Sequence, residues 1–302
     1  KALGCTEPLF SLGDKPEAIY PEMRRLLERI GVRTTLDYLR EACAAVLDET
    51  GLLPHSNPGL MGRADLLRLR EVNVSLGMML ESTSTRLTAP GGPHANAPDK
   101  KPRLRLRTLA EAGRLGIAFT TGILIGIGET WKERIDSLFA IRGLHERYGH
   151  VQEVIIQNFH QKRDIPMAHH PEPALGEMLK TIALARLILG GGMNIQAPPN
   201  LNTDHYVSYL YAGINDWGGV SPLTPDYINP EAPWPALAIL REKTTQAGFT
   251  LRARLPLYPE FIDQGDRFLA PALLPYVERF SGADHLANTG GLHDRCGADM
   301  QL

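Results

Sequence analysis

Short apolar runs alternate with amphipathic stretches along most of the chain. The apolar runs show almost no inside-outside alternation, which predicts strands buried on both faces of a sheet. The stretches between them have apolar residues at helical spacing. We predict strands at Glu7–Leu12, Leu52–His55, Asn73–Leu80, Ile117–Ile125, Glu153–Phe159 and Asn194–Ala197, and helices at Thr35–Thr50, Pro102–Leu115, Thr130–Tyr148 and Pro173–Leu189.

Regular alternation of strand and helix predicts a parallel sheet with helices outside it. Six such units and a further helix near Pro235–Ala247 approach the length of a (β/α)₈ barrel, typically about 250 residues. A doubly wound open sheet is the alternative. Against it, the glycine-rich segment GILIGIGE, residues 122–129, follows a late strand and matches neither the GxGxxG dinucleotide motif nor a P-loop. Thr130 is the predicted N-cap of the next helix, and Arg134 is predicted on its polar face.

Polar and glycine-rich segments follow the predicted strands. In a parallel barrel, catalytic and binding groups collect at the carboxyl ends of the strands. Seven such segments on one face therefore predict a site for a polar ligand. In chain order they are LGDKPE, HSNPG, ESTSTR, GIGET, QNFHQK, APPNL and DWGGVSP.

Composition narrows the function classes. The 302 residues include 43% hydrophobic and 22% charged side chains with a net charge of −2, which predicts no nucleic-acid partner. The longest apolar runs are too short to predict a membrane span. The chain begins at Lys1 without a signal-peptide pattern, and we expect a cytoplasmic fragment whose true start lies upstream. Cys5, Cys43 and Cys296 fit neither a disulfide framework nor a zinc site.

GILIGIGE resembles the GxIxGxxE motif of radical S-adenosylmethionine (SAM) enzymes, with Leu124 in the usual isoleucine position. In that superfamily this strand lies against the adenine of SAM. The resemblance therefore implies that glycine lets the backbone approach a flat ring. The implied cofactor-binding residues here are Gly122, Leu124, Gly126 and Glu129.

Three further segments extend this resemblance. Arg105 stands where related enzymes hold the methionine carboxylate, a role that suits a planar guanidinium. Arg103 and Arg107 are close enough to leave that register open. Glu81 and Ser82 correspond to the residues that bind the ribose hydroxyls. The segment that receives the SAM amino group corresponds to Gly13, Asp14 and Glu17, although Asp14 is equally typical of a turn.

Longer blocks from Leu3 to Ile262 resemble the FO synthase family of coenzyme F420 biosynthesis, on the side of the CofG subunit or the equivalent half of the fused enzyme. The resemblance implies a radical SAM TIM-like barrel over residues 1–262, lacking its first βα unit in this chain, and a tail or linker over 263–302. It also implies a CofH-type subunit or fused half and an electron donor as partners. The blocks are LGDKPE, HSNPG, TTGILIGIGET, QEVIIQNF, IQAPPNL, INDWGGVSPLTPDYINPEAPWP and LRARLPLYPEFI.

The family reaction is a carbon–nitrogen lyase step. A reduced [4Fe–4S] cluster cleaves SAM, and the resulting radical acts on a tyrosine-derived adduct of ribityl-diaminouracil, with ring closure and loss of ammonia. The family binds its cluster through CxxxCxxC, which would lie upstream of Lys1. The cysteines of this chain lack that spacing, so we predict no metal ligands in it and no activity of the fragment alone.

A uracil ring and a ribityl chain offer many hydrogen-bond donors and acceptors, and the resemblance implies polar residues that match them. Capping or loop support remains the alternative for the amides. His94, His169 and His170 are predicted to be solvated. The implied substrate-binding residues are His55, Asn57, Gln157, Asn158, Gln196, Asn200 and Asp216, with Trp217 as a stacking face.

Three alternative functions remain at this stage. The first is another radical SAM enzyme, of the CofH type or from the menaquinone pathway. The second is a non-catalytic SAM-binding barrel. The third is a phosphate-binding barrel enzyme, which Glu129 disfavours because it follows the glycines directly and would repel phosphate.

Overall fold

The structure is a computed structural model and describes residues 4–288. Strands β1 to β6 span Leu9–Ser11, His55–Asn57, Ser75–Gly77, Phe119–Ile125, Val151–Asn158 and Ile195–Gln196. Helices α1 to α11 span Pro21–Arg29, Thr35–Thr50, Arg63–Arg70, Pro102–Arg114, Trp131–Tyr148, Leu175–Leu189, Ser208–Ala212, Leu237–Gln246, Pro259–Ile262, Gly265–Phe268 and Leu274–Phe280. Cys296 lies outside the described residues.

The chain divides into two compact units. The first contains the described parts of Lys1–Met78, Arg107–Phe119 and Arg252–Leu302. The second contains Met79–Leu106 and Thr120–Leu251.

In the first unit, β1, β2 and β3 are adjacent parallel strands. Leu9 pairs with His55, and His55 pairs with Ser75. Strand β2 begins at His55, later than the predicted Leu52, and continues to Asn57. Pro54 has no N–H to donate to a ladder, and it contributes only its carbonyl, to the N–H of Val74 at 3.0 Å.

In the second unit, β4, β5 and β6 follow one another in the same order as in the chain. Val154 of β5 pairs with Ile195 of β6 in parallel. Helix α5 begins after the predicted N-cap Thr130, whose hydroxyl accepts a hydrogen bond from the N–H of Glu133. The helix ends at Tyr148, and Gly149 directly after it adopts the left-handed conformation typical of a helix C-terminus.

Residues 263–288 belong to the first unit. They include α10 and α11, and the side chains of Phe268, Leu273 and Val277 are buried. The domain boundary at residue 262 stays a prediction.

Within the described residues, every helix is either too short or too polar to cross a membrane.

Candidate functional site

The glycines of GILIGIGE meet different steric demands. A Cβ on Gly122 would lie 2.2 Å from the carbonyl oxygen of Ile155 on β5. Gly126 has a φ of +86°, and a Cβ there would lie 2.5 Å from the ring of Pro173. Gly128 has a φ of +94° and faces open space. The close approach at Gly122 is therefore made by the neighbouring strand.

Glu129 links residues 126–128, the glycine-containing loop after β4, to α5 by hydrogen bonds. Its carboxylate accepts hydrogen bonds from the N–H groups of Gly126 at 2.8 Å and Ile127 at 2.9 Å. Arg134 donates to the same carboxylate at 2.6 Å and to Glu177 at 3.1 Å. The Glu129 and Arg134 side chains are only 1% and 5% exposed. The protein itself thus uses both oxygens of the Glu129 carboxylate.

Glu81 has a left-handed backbone conformation, with a φ of +68°. Its N–H donates to the Gly122 carbonyl at 3.1 Å, and its carbonyl accepts from the N–H of Leu124 at 3.0 Å. A left-handed non-glycine residue costs about 1–2 kcal/mol. Pairing with β4 holds this strained residue in place, and such strain is typical of a functional position. Ser82 follows it, buried, and its hydroxyl accepts from the N–H of Ser84 at 3.1 Å.

The side chain of Glu81 lies in a charged group that we call the Glu81 cluster, formed with Asp99, Lys100 and Arg105. Lys100 donates to Glu81 at 2.7 Å, and Arg105 Nη1 lies 3.8 Å from the same oxygen. Arg105 is buried and donates to the Asp99 carboxylate at 3.0 Å and to the Met79 carbonyl. Two carboxylates and two cations balance, so the cluster suits a zwitterionic ligand.

His94 lies beside the Glu81 cluster. Our prediction that His94 is solvated is wrong, because its side chain is buried. The backbone N–H of His94 donates to the Leu87 carbonyl at 2.9 Å, and this hydrogen bond folds the segment inward. Burial is the main cause of its lowered pKa, followed by the charge of Lys100. The imidazole is therefore neutral at pH 7.

An apolar cluster adjoins the Glu81 cluster. A backbone hydrogen bond from Leu124 to Glu81 at 3.0 Å connects the two clusters, and His94, which lies beside the Glu81 cluster, donates its backbone N–H to Leu87 at 2.9 Å. Apolar and charged side chains are thereby brought next to each other within the second unit. The apolar cluster consists of buried Leu87, Ile127 and Phe159, with partly buried Leu124, Ile165 and Met167 against them.

The amide residues predicted to bind substrate lie at the ends of β5 and β6. Asn158 and Asn200 are buried, and each has a carbonyl oxygen without a hydrogen-bond partner in the described part of the chain. Gln157 is half-buried on β5. Gln196 is buried on β6, and its amide packs so closely on Gly218 that a Cβ there would lie 2.0 Å from its nitrogen.

Asp216 and Trp217 stabilise the turn after α7. The Asp216 carboxylate accepts from the N–H of Gly218 at 2.6 Å. Trp217 is buried, donates to the hydroxyl of Thr244 at 3.2 Å and packs edge-to-face on Tyr206, with 5.4 Å between the ring centroids. The role of Trp217 as a stacking face for a ligand stays a prediction.

In the first unit, the GDKPE segment is held by its own side chains. Asp14 accepts from the N–H of Leu60 at 2.9 Å. The carboxylate of Glu17 accepts from the N–H of Thr35 at 3.1 Å and from its hydroxyl at 2.5 Å, at the start of α2. Gly13 is exposed, and a Cβ there would meet nothing. Their contacts with a SAM amino group stay a prediction.

His55 lies buried on β2 in a defined tautomer. Its Nδ1 lies 2.7 Å from the Ser75 hydroxyl, which donates its single proton to the Pro256 carbonyl. Nδ1 must therefore donate, and Nε2 carries a lone pair. Burial, aided by the charge of Arg254, lowers the pKa of His55 to about 3. Asn57, at the end of β2, is half-buried, and its carbonyl accepts from the N–H of Leu12 at 3.2 Å.

We expect His55 to make the protein acid-sensitive. The folded state keeps the ring neutral down to a pKa of about 3, whereas the unfolded ring takes up a proton below about pH 6.5. Stability is thus fully present above pH 6.5 and is lost as the pH falls toward 3. Between pH 6.5 and pH 5 this loss is about 2 kcal/mol. His55→Asn keeps a donor for Ser75 but cannot titrate, so urea denaturation at several pH values should give a flatter profile. An identical slope in both proteins would contradict the assignment.

The described residues do not fit a four-iron cluster. Such a cluster needs three neighbouring thiolates. Cys43 is buried, with its sulfur 3.5 Å from the Ser56 hydroxyl and 3.7 Å from Asn73 Oδ1. Cys5 is half-buried and is a free thiol like Cys43. No group of three or more His, Cys, Asp or Glu side chains suited to a metal ion occurs within residues 4–288.

Sequence reasoning missed Asp99, Lys100 and the position of His94. The signal available was weak, a charged DKK run between two prolines at the start of a predicted helix. Spatial proximity to Glu81, rather than any local pattern, identifies these residues.

Comparisons with known proteins identify close relatives. The chain is 53% identical over 277 residues to the FO synthase of Streptomyces avermitilis, covering 91% of this chain and 32% of that protein. It is 51% identical over 265 residues to the 7,8-didemethyl-8-hydroxy-5-deazariboflavin synthase of Methanopyrus kandleri, covering 88% of this chain and 79% of that protein. The chain thus spans only 32% of the length of the Streptomyces relative. No family model matches the chain.

Among solved structures, the FeFe-hydrogenase maturase HydG from Carboxydothermus hydrogenoformans is similar, with a TM-score of 0.62 and 17% identity. The match covers 97% of this chain and 70% of that one. This likeness confirms the predicted α/β fold class.

Proposed function

Because this chain belongs to the 7,8-didemethyl-8-hydroxy-5-deazariboflavin synthase family, we propose that it binds SAM and substrate in the radical reaction that forms FO, the deazaflavin of coenzyme F420. The fold is that of the radical SAM enzymes. The single observation that carries the assignment of the SAM site is Glu81, held in a strained conformation between a charged cluster and an apolar one.

The residues of the second unit fit the parts of SAM. The apolar cluster around Leu124 would hold the adenine, and Glu81 with Ser82 the ribose hydroxyls. Arg105 would hold the methionine carboxylate in exchange for Asp99. When bound, SAM supplies the hydrogen-abstracting chemistry that amino-acid side chains lack.

The side chains of this chain orient the ligand and exclude water. Arg105 is buried with its guanidinium fixed by Asp99 and the Met79 carbonyl, so little side-chain entropy is lost when it receives a carboxylate. Lys100 is 29% exposed and can move away from Glu81, which frees that carboxylate for hydroxyl groups.

The remaining parts of the reaction follow from the family. We assign the chain a carbon–nitrogen lyase step on a tyrosine-derived adduct of ribityl-diaminouracil, with release of ammonia. A CofH-type subunit or fused half would supply the adduct, and an electron donor would serve a cluster that no described residue ligates. A cytoplasmic setting suits the free thiols of Cys5 and Cys43.

Glu81→Gly should separate function from stability. Glycine relieves the strain at φ +68°, so we expect the free energy of unfolding to stay within about 1 kcal/mol of the wild type. SAM should bind at least about tenfold more weakly, since a charged hydrogen-bond partner is lost. Isothermal titration calorimetry with SAM measures the affinity, and urea denaturation measures the stability.

His285→Gly is the matched control. His285 is also left-handed, with a φ of +59°, but belongs to the first unit. It should leave SAM affinity unchanged. Equal affinities of the wild type, Glu81→Gly and Glu81→Gln would refute this placement of the ribose.

A further inference from the structure

Asn158, the last residue of β5, presents a buried acceptor without a donor. Its side-chain nitrogen donates to the carbonyls of Phe159 and Leu201, each at 3.4 Å. Both N–H groups of the amide are thereby used, and because both partners are acceptors the orientation of the amide is fixed. Asn158 Oδ1 is buried and unpaired among the described residues.

Asn200, shortly after β6, repeats this arrangement. Its nitrogen donates to Asp226 Oδ2 and to the carbonyl of Ala232, each at 3.0 Å. Its Oδ1 is also buried and lacks a donor. The two amides are neighbours, because Asn158 donates to Leu201, the residue that follows Asn200.

Each of these two acceptors requires a hydrogen-bond donor. A buried acceptor without a partner costs about 1–3 kcal/mol, and native proteins rarely leave one unexplained. Here two occur together, at the strand ends where binding residues collect in this fold class. Asn158 is 6% exposed and Asn200 is 3% exposed. Any donor that satisfies their oxygens must therefore be buried with them.

We propose that Asn158 and Asn200 form a donor-selective subsite that accepts hydrogen bonds from the N–H and O–H groups of the ribityl-diaminouracil part of the substrate. The inference rests on the proposed function and specifies which half of the adduct binds here. The amides can act only as acceptors, because their N–H groups are occupied. They therefore select ring N–H, amino or hydroxyl groups.

The same chemistry excludes a carboxylate from this subsite. A carboxylate has no proton to give to an amide oxygen at neutral pH. The Asp226 carboxylate, 3.0 Å from Asn200, would also repel it. Asp226 and Ala232 both accept hydrogen bonds from Asn200, so residues 226–232 are held against it. This segment encloses one edge of the subsite.

Calorimetric titration with ribityl-diaminouracil tests the subsite without requiring turnover. Asn158→Ala and Asn200→Ala should each weaken binding about 10- to 100-fold. Asn229→Ala is the control, because Asn229 donates to the same Asp226 at 3.0 Å but is not one of the two unpaired acceptors. It should change affinity less than about threefold, within the range of indirect effects.

A second series keeps the test valid if a variant fails to fold. Probes in which one N–H or O–H donor at a time is methylated are titrated into the wild-type protein. We expect the wild-type protein to bind at least one methylated probe more weakly than the unmodified compound. In the alanine variants this difference between the two compounds should disappear. Unchanged affinity for every methylated probe would overturn the inference and would mean that buried water satisfies the oxygens of Asn158 and Asn200.

SAM titration in parallel separates this inference from the proposed function. If SAM binds but ribityl-diaminouracil does not, the subsite is refuted and the SAM site stands. If neither binds, both fail.

Discussion

Replacing Glu129 by alanine should lower the free energy of unfolding by about 3–5 kcal/mol, the range for removing one partner of a buried ion pair. Arg134 would keep only Glu177 as a carboxylate partner, at 3.1 Å, and that side chain is 41% exposed. The N–H groups of Gly126 and Ile127 would also lose their acceptor. Urea denaturation followed by circular dichroism measures the change.

The matched control for Glu129 is Glu146→Ala on the exposed side of α5. Glu146 pairs with Arg142 at 2.7 Å, but the two side chains are 59% and 45% exposed. Removing such a surface pair costs about 0.5 kcal/mol or less. If Glu129→Ala lowers the free energy of unfolding by less than about 1 kcal/mol, as the control does, Glu129 does not form a stabilising buried ion pair.

Gly122→Ala should destabilise the second unit by at least about 3 kcal/mol, at or beyond the upper end of typical overpacking costs. The added methyl group would lie 2.2 Å from the carbonyl oxygen of Ile155 and 2.9 Å from its Cα. The obstacle is backbone in a paired strand, which cannot rotate away as a side chain would. Relief therefore requires β4 and β5 to separate locally.

Gly143→Ala is the control for this substitution. Gly143 lies within α5, and a Cβ there would meet nothing. Alanine should stabilise the helix by about 0.5–1 kcal/mol. Thermal unfolding of both variants measures the contrast, and a Gly122→Ala protein as stable as the wild type would show that the strands do not approach this closely.

Helices were the most predictable part of the fold. Thr35–Thr50 has the predicted limits, and α4, α5, α6 and α8 begin and end within two residues of them. Apolar periodicity and caps such as Thr130 are local signals, so the sequence carries them directly. Helices α1, α3, α7, α9, α10 and α11 were not predicted.

Long-range contacts account for what could not be predicted. Arg134 was expected on the polar face of α5, but it is buried because Glu129 and Glu177 pair with it there. The requirement for glycine at position 122 comes from Ile155, which is distant in sequence. Neither partner is visible from local spacing.

The candidate site, like the fold, was predictable only in part. Family resemblance indicated Glu81 and Arg105, and the structure brings them into one cluster. Resemblance did not indicate that Asp99 and Lys100 complete it, because an irregular segment supplies them. The unpaired oxygens of Asn158 and Asn200 are likewise visible only once their partners are known.

Hydrogen–deuterium exchange with and without SAM tests the central claim most directly, namely that the Glu81 cluster and the adjoining apolar cluster bind the cofactor. We expect SAM to slow amide exchange in residues 79–87, 94–105 and 122–128, which contain Glu81, Arg105 and Leu124. Protection confined to other segments, with these three unchanged, would contradict the account.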